Sequence, residues 1–186
     1  MRLLLRSTWL LLLGAFFFYS SSAYGQVMLT NSGTYTETFD GIGAGLPTGW
    51  TSFTNATATT LGTSVTFATA HASWNDASPA GFKNFSSADN GAASGNAATF
   101  TDRAFGLRQT STFANSNAAF AVQLANTNGA QNLNLTFKLQ SLDATNGPRT
   151  ATWRVDYGFG SAPSAFTQAT SSPASLTTGG NLFANQ

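Results

Sequence analysis

The chain has 186 residues and a formal net charge of +1 at pH 7, and only 8% of its side chains are charged, against about 25% in an average globular domain. It has no cysteine, which excludes disulfides, thiolate zinc sites and cysteine nucleophiles. After residue 25 the basic residues are Lys83, Arg103, Arg108, Lys138, Arg149 and Arg154; they are scattered, without the basic patch that a nucleic acid requires.

The first 25 residues carry Arg2 and Arg6, then an apolar run from Leu10 to Phe18 broken only by Gly14, then small residues from Ser20 to Gly25. Basic start, short apolar middle and small-residue end form the layout of a secretory signal peptide. Ala23 and Gly25 fit the small-x-small cleavage pattern and place the mature start at Gln26. A membrane anchor would need ~20 apolar residues, and Ser7 and Thr8 interrupt any backward extension of the run. The expectation is a signal peptide over 1–25 and a single β-sandwich domain over 26–186. The protein would be secreted, extracellular or on the cell surface, with no membrane span once the signal is removed. The positive formal charge belongs to the leader, since the rest of the chain has six basic side chains against seven acidic ones.

In chain order, the first weak strand signal is Thr34 to Phe39, where Tyr35, Glu37 and Phe39 alternate with their neighbours. Ser64 to Thr69 brings Val65 and Phe67. The stretch 73–97 reads as loop, punctuated by Pro79, Gly81, Asn90-Gly91 and Gly95. Thr99 to Leu107 reads as a strand kinked at Gly106 or as a strand pair. The clearest periodicity follows, over 119–125, 133–139 and 151–157. Strict period two marks a strand with one buried face. Leu133, Leu135, Phe137 and Leu139 are expected to face the core, with Asn134, Thr136 and Lys138 facing solvent. Asn-Gly steps at Asn128-Gly129 and Asn146-Gly147 suit hairpin turns, so the three runs predict an antiparallel meander. Phe166 to Ala169 starts a further strand. No segment after the leader sustains a 3.6-residue apolar stripe, so almost no helix is expected. Aromatic residues make up 13% of the chain, mostly Phe, enough apolar surface for a folded core. The pattern predicts an all-β fold, an antiparallel sandwich.

The polar residues suggest little catalysis. His71 is the lone histidine; a Ser-His-Asp triad would have to use it, and no Gly-x-Ser-x-Gly elbow exists. A glycosidase needs two carboxyl groups facing across a cleft; Glu37 is the only glutamate, and a pair such as Glu37 with Asp102 is not singled out by any pattern. Calcium needs six to eight oxygens and no strict motif. Asp89, Asn90 and Asp102 near one long loop are candidate ligands of a structural calcium, and Glu37 and Asp40 flank the first strand. The competing reading is that Asp and Asn there only build turns. Arg103 and Arg154 each sit beside an aspartate and could form cross-strand ion pairs.

Trp153 falls on the core phase of its run with Val155 and Tyr157. Trp50 follows a Pro-x-Gly turn and is expected to plug one end of the sandwich. Trp74 lies in a polar stretch beside His71, Asn75 and Asp76. An indole flanked by polar groups suits stacking on a sugar ring, which makes Trp74, Asn75 and Asp76 a candidate glycan site. The alternative is that Trp74 folds back and packs.

Phe39-Asp40-Gly41, Leu46-Pro47-Thr48-Gly49-Trp50, Asp102-Arg103-Ala104-Phe105-Gly106 and Trp153-Arg154-Val155-Asp156-Tyr157 occur in this order. Together they resemble the N-terminal jelly-roll modules of large secreted surface proteins from Bacteroidetes-like bacteria, over most of residues 34–166. The resemblance implies a jelly-roll-like sandwich and an extracellular or surface location, with no established ligand. Family members close the sandwich with further strands, and nothing after Ala169 matches them. The expectation is therefore a fold lacking its closing strands, with self-association through an unpaired strand edge. The function expected is a non-catalytic module for adhesion, display or glycan contact within a larger protein. Its partner would be a glycan or cell-surface polysaccharide. The alternatives are an accessory domain of a secreted hydrolase or nuclease whose catalytic part lies beyond residue 186, and a structural spacer with no ligand.

Overall fold

The structure is a computed structural model that describes residues 25–30, 33–72, 80–86, 99–114, 117–126, 129, 131–140, 150–173 and 175–179. The described residues form an all-β, sandwich-like fold whose sheets remain open. The strands are β1 (Val27–Met28), β2 (Trp50–Thr54), β3 (Thr63–Val65), β4 (Phe67–Ala72), β5 (Gly81–Ser86), β6 (Arg103–Arg108), β7 (Ala119–Val122), β8 (Leu124–Ala125), β9 (Thr150–Trp153), β10 (Asp156–Tyr157), β11 (Thr167–Gln168) and β12 (Leu176–Gly179). A 3-10 turn spans Ile42–Ala44.

Two three-stranded sheets carry the core. One has the order β3-β2-β7 and is antiparallel; the other has the order β4-β5-β6. In the second, β5 runs antiparallel to β6 but parallel to β4, with a register irregularity between Ala68 and His71. Smaller antiparallel pairs join β9 to β12 and β10 to β11, and β1 lies parallel to β8.

Aromatic rings fill the space between the two larger sheets. Phe120 of β7 meets Phe105 of β6 at 4.6 Å and Phe82 of β5 at 5.3 Å, both edge to face. Phe67 of β4 adds an edge contact to Phe105 at 5.4 Å. Trp153 of β9 stacks on Phe120 at 5.5 Å and donates from Nε1 to Thr178 Oγ1 of β12 at 3.0 Å, which ties the β9–β12 pair to the same core. Edge-to-face rings satisfy the aromatic quadrupole and fill volume without polar atoms. The 3-10 turn adds the fully buried Ile42 against β4 and β6.

Several sequence expectations are corrected. The three-strand meander does not form: β7 pairs with β2, in the register Trp50↔Val122 to Phe53↔Ala119, and β9 pairs with β12. Residues 133–139 join no strand, and Leu133, Leu135 and Phe137 are 58%, 60% and 52% exposed. Alternation specifies two faces but names no partner for the ladder, and the described partners of β7 and β9 are β2 and β12. The run 151–157 divides into β9 and β10, which belong to different pairs, so Tyr157 shares the phase of Trp153 and yet is exposed.

Thr34 to Phe39 is not a strand. Glu37 Oε1 accepts from the Phe39 amide at 2.8 Å and Thr38 Oγ1 from the Asp40 amide at 3.5 Å, and Phe39 takes φ 64°. Such local side-chain-to-backbone bonds replace a ladder. Conversely, β5 lies inside the stretch read as loop. From Phe82 to Ser86 every residue of β5 is buried; consecutive side chains point to opposite faces, so both faces of this strand are covered, and that removes the polar alternation.

Candidate functional site

Three of the four motifs that stood out in sequence, those containing Phe39, Trp50 and Arg103, converge on one structural clamp. Pro47 O accepts from the Trp50 amide at 3.0 Å, closing a turn that puts Gly49 at φ 86°. Positive φ at the third turn position calls for glycine. A Cβ there would also meet Gln123 O and the Val27 backbone nitrogen, each at 3.1 Å. The turn delivers Trp50 into β2, where the half-buried indole meets Phe39 at 4.8 Å and Phe105 at 6.4 Å. Its Nε1 donates to Tyr35 Oη at 3.1 Å, and Tyr35 Oη donates to Glu37 Oε2 at 2.9 Å. Partial burial pushes the Tyr35 phenol above its ordinary value, and the Glu37 carboxylate adds to the rise.

Arg103 opens β6 and is 3% exposed. Its Nε donates to Asn84 Oδ1 at 2.7 Å, its Nη2 to Asn84 O and its Nη1 to Phe100 O at 3.3 Å. Asn84 passes the connection on, donating from Nδ2 to Thr69 O of β4 at 2.9 Å. The Arg103 amide donates to Asp40 Oδ1 at 3.0 Å. Burial lowers the Arg103 pKa, while the Asp102 charge opposes the shift. A buried guanidinium is tolerated only with its donors satisfied. This one fastens β4, β5, β6 and the Asp40 segment together, out of reach of a solvent-borne ligand. Arg103 thus reaches across to an asparagine and main-chain oxygens of its neighbours. Arg154 pairs with Asp156 two residues along its own segment, Nε to Oδ2 at 3.0 Å, instead of across strands.

The expected site residues fare differently. Trp74, Asn75, Asp76, Asp89 and Asn90 lie outside the described residues. Asp102 is exposed beside Arg103, and Asp40 is committed to the Arg103 amide. Glu37, once weighed as a partner for Asp102, is engaged by Tyr35 and the Phe39 amide. Among the described residues no group of three or more His, Asp or Glu side chains could hold a metal. His71 is exposed in β4.

The surface offers one aromatic feature that sequence reasoning passed over. Phe159 is 85% exposed and Tyr157 is 47% exposed. Their rings meet edge to face at 5.7 Å. Tyr157 pairs with Thr167 in the β10–β11 register, so the exposed Thr167 hydroxyl lies on the same face as the phenol. Gly158 lets Pro163 close beneath: a Cβ would come within 2.7 Å of Pro163 Cβ and 2.9 Å of Ala165 O. A legible signal was the placing of Phe159 between Gly158 and Gly160, neighbours that give a ring nothing to pack against.

Compared with protein-family models, with curated proteins and with solved structures, the chain matches none.

Proposed function

We propose that this chain is a secreted or cell-surface, non-catalytic β-sandwich module for adhesion, display or glycan contact within a larger protein, of the kind its ordered motifs resemble. The observation that carries the glycan reading is the exposed Tyr157–Phe159 pair beside the Thr167 hydroxyl. A pyranose ring has an apolar face that stacks on an aromatic surface and a hydroxyl rim that needs polar partners. The leader supports export. The motif residues Phe39, Asp40, Trp50, Arg103 and Phe105 support the sandwich itself, since they form the clamp beneath the surface, whereas Tyr157 of the fourth motif belongs to the exposed pair.

Binding to soluble and insoluble polysaccharides, read by titration calorimetry and co-sedimentation, tests this. Phe159→Ala is expected to weaken glycan affinity about tenfold, equivalent to ~1.4 kcal/mol, and Tyr157→Ala to weaken it less. Loss on Trp74→Ala with Phe159→Ala unchanged would move the site to the 74–76 stretch. The absence of any glycan affinity in the parent chain would leave adhesion or display through protein contacts.

A further inference from the structure

Residues 133–139 read Leu-Asn-Leu-Thr-Phe-Lys-Leu. They have the period-two pattern of a strand, yet they belong to none, and none of them makes a hydrogen bond with another described residue. Leu133, Leu135 and Phe137 stand more than half exposed, while Leu139 is half-buried. The segment contains no proline and a single charge, Lys138. A short, low-charge, alternating segment whose backbone pairs with no described residue is a template for strand addition.

We infer that residues 133–139 pair with the same segment of a second copy of this chain, antiparallel, about a two-fold axis at Thr136. The sequence is complementary to itself in that register. Leu133 falls opposite Leu139, Leu135 opposite Phe137, Asn134 opposite Lys138 and Thr136 opposite Thr136. The apolar pairs then share one face and the polar pairs the other, as strand pairing requires. Charge selects the direction. In an in-register parallel pair the two Lys138 ammonium groups would be neighbours, whereas the antiparallel pair sets each against a neutral amide. The contact is isologous, the commonest arrangement of homodimers. It differs from an edge left by missing closing strands, because it lies in the middle of the chain. It is also independent of any glycan.

The test uses the full chain. Sedimentation velocity across the micromolar range is expected to show a concentration-dependent dimer. Thr136→Pro removes an amide donor at the axis and is expected to give a monomer whose circular dichroism and melting midpoint match the parent, because the segment lies outside the sheets. In this otherwise cysteine-free chain, mild oxidation of T136C is expected to yield a disulfide-linked dimer. N134C is expected to link to K138C in a mixture and not to itself. A parent chain that stays monomeric overturns the inference, including a monomer whose 133–139 amides resist hydrogen exchange because its own chain covers them. A dimer unaffected by Thr136→Pro overturns it, as does self-linking of N134C as efficient as that of T136C.

Discussion

A Cβ added at Gly106 would overlap Cδ2 of the Phe85 ring and lie 3.0 and 3.2 Å from two more of its atoms. Phe85 is 5% exposed and lies across β6 at this point, so the glycine gives the ring its seat. Gly106→Ala is expected to destabilise the fold by about 1–3 kcal/mol through overpacking, read as a lower denaturation midpoint with an unchanged slope. Tyr35 supplies a second residue-scale prediction. Its phenol donates to Glu37 and accepts from Trp50, and its folded pKa stands above the ordinary 10.0. A raised folded pKa means that the contribution of this group is complete below pH 10.0 and is lost as pH rises through the higher folded value. Alkaline absorbance titration is expected to show a component ionising above pH 10.0 that Tyr35→Phe removes.

At the scale of elements, strand β5 and the segment 133–139 exchange the roles that their sequences advertise. β5 reads Gly-Phe-Lys-Asn-Phe-Ser, with phenylalanines three apart and so on opposite faces, which conceals its place as the buried centre of a sheet. Residues 133–139 display a flawless amphipathic pattern and lie on the surface. Paired substitutions separate pattern from packing. Phe82 is fully buried among Phe105, Phe113 and Phe120, so Phe82→Ala is expected to cost about 3–5 kcal/mol. Leu135→Ala, at a 60% exposed position, is expected to stay within about 0.5 kcal/mol of the parent, measured by denaturant unfolding at a concentration where the chain is monomeric. An equal loss in both variants would mean that Leu135 is buried in solution.

For the molecule as a whole, one shared aromatic core joins the two larger sheets, and Trp153 extends it to the β9–β12 pair. The proposed surface roles fall elsewhere, on the Tyr157–Phe159 pair and on residues 133–139. Two chains joined through 133–139 would carry two such pairs, and weak contacts to a polymeric glycan would then gain from avidity. Among the described residues no helix is long and apolar enough to cross a membrane.

Composition and period-two patterning alone determined the all-β class and the near absence of helix, because turn residues and alternation act over a few neighbours. They also located β6, β7 and β11 to within a few residues, whereas the single run 64–69 divides between β3 and β4, which belong to different sheets. Of the ordered motifs, Phe39, Trp50, Phe105, Asp40 and Arg103 meet in one clamp, while Trp153 packs on Phe120 and Tyr157 is exposed. Strand partnership was decided only by the tertiary structure. Which strand lies beside β7, whether Tyr157 follows Trp153 inward, and whether 133–139 finds a ladder all depend on contacts between residues distant in sequence. For the same reason Asn84, three residues from the loop signal at Gly81, became the buried partner of Arg103: a polar side chain is admitted to a core only when the fold brings it the donors and acceptors it needs.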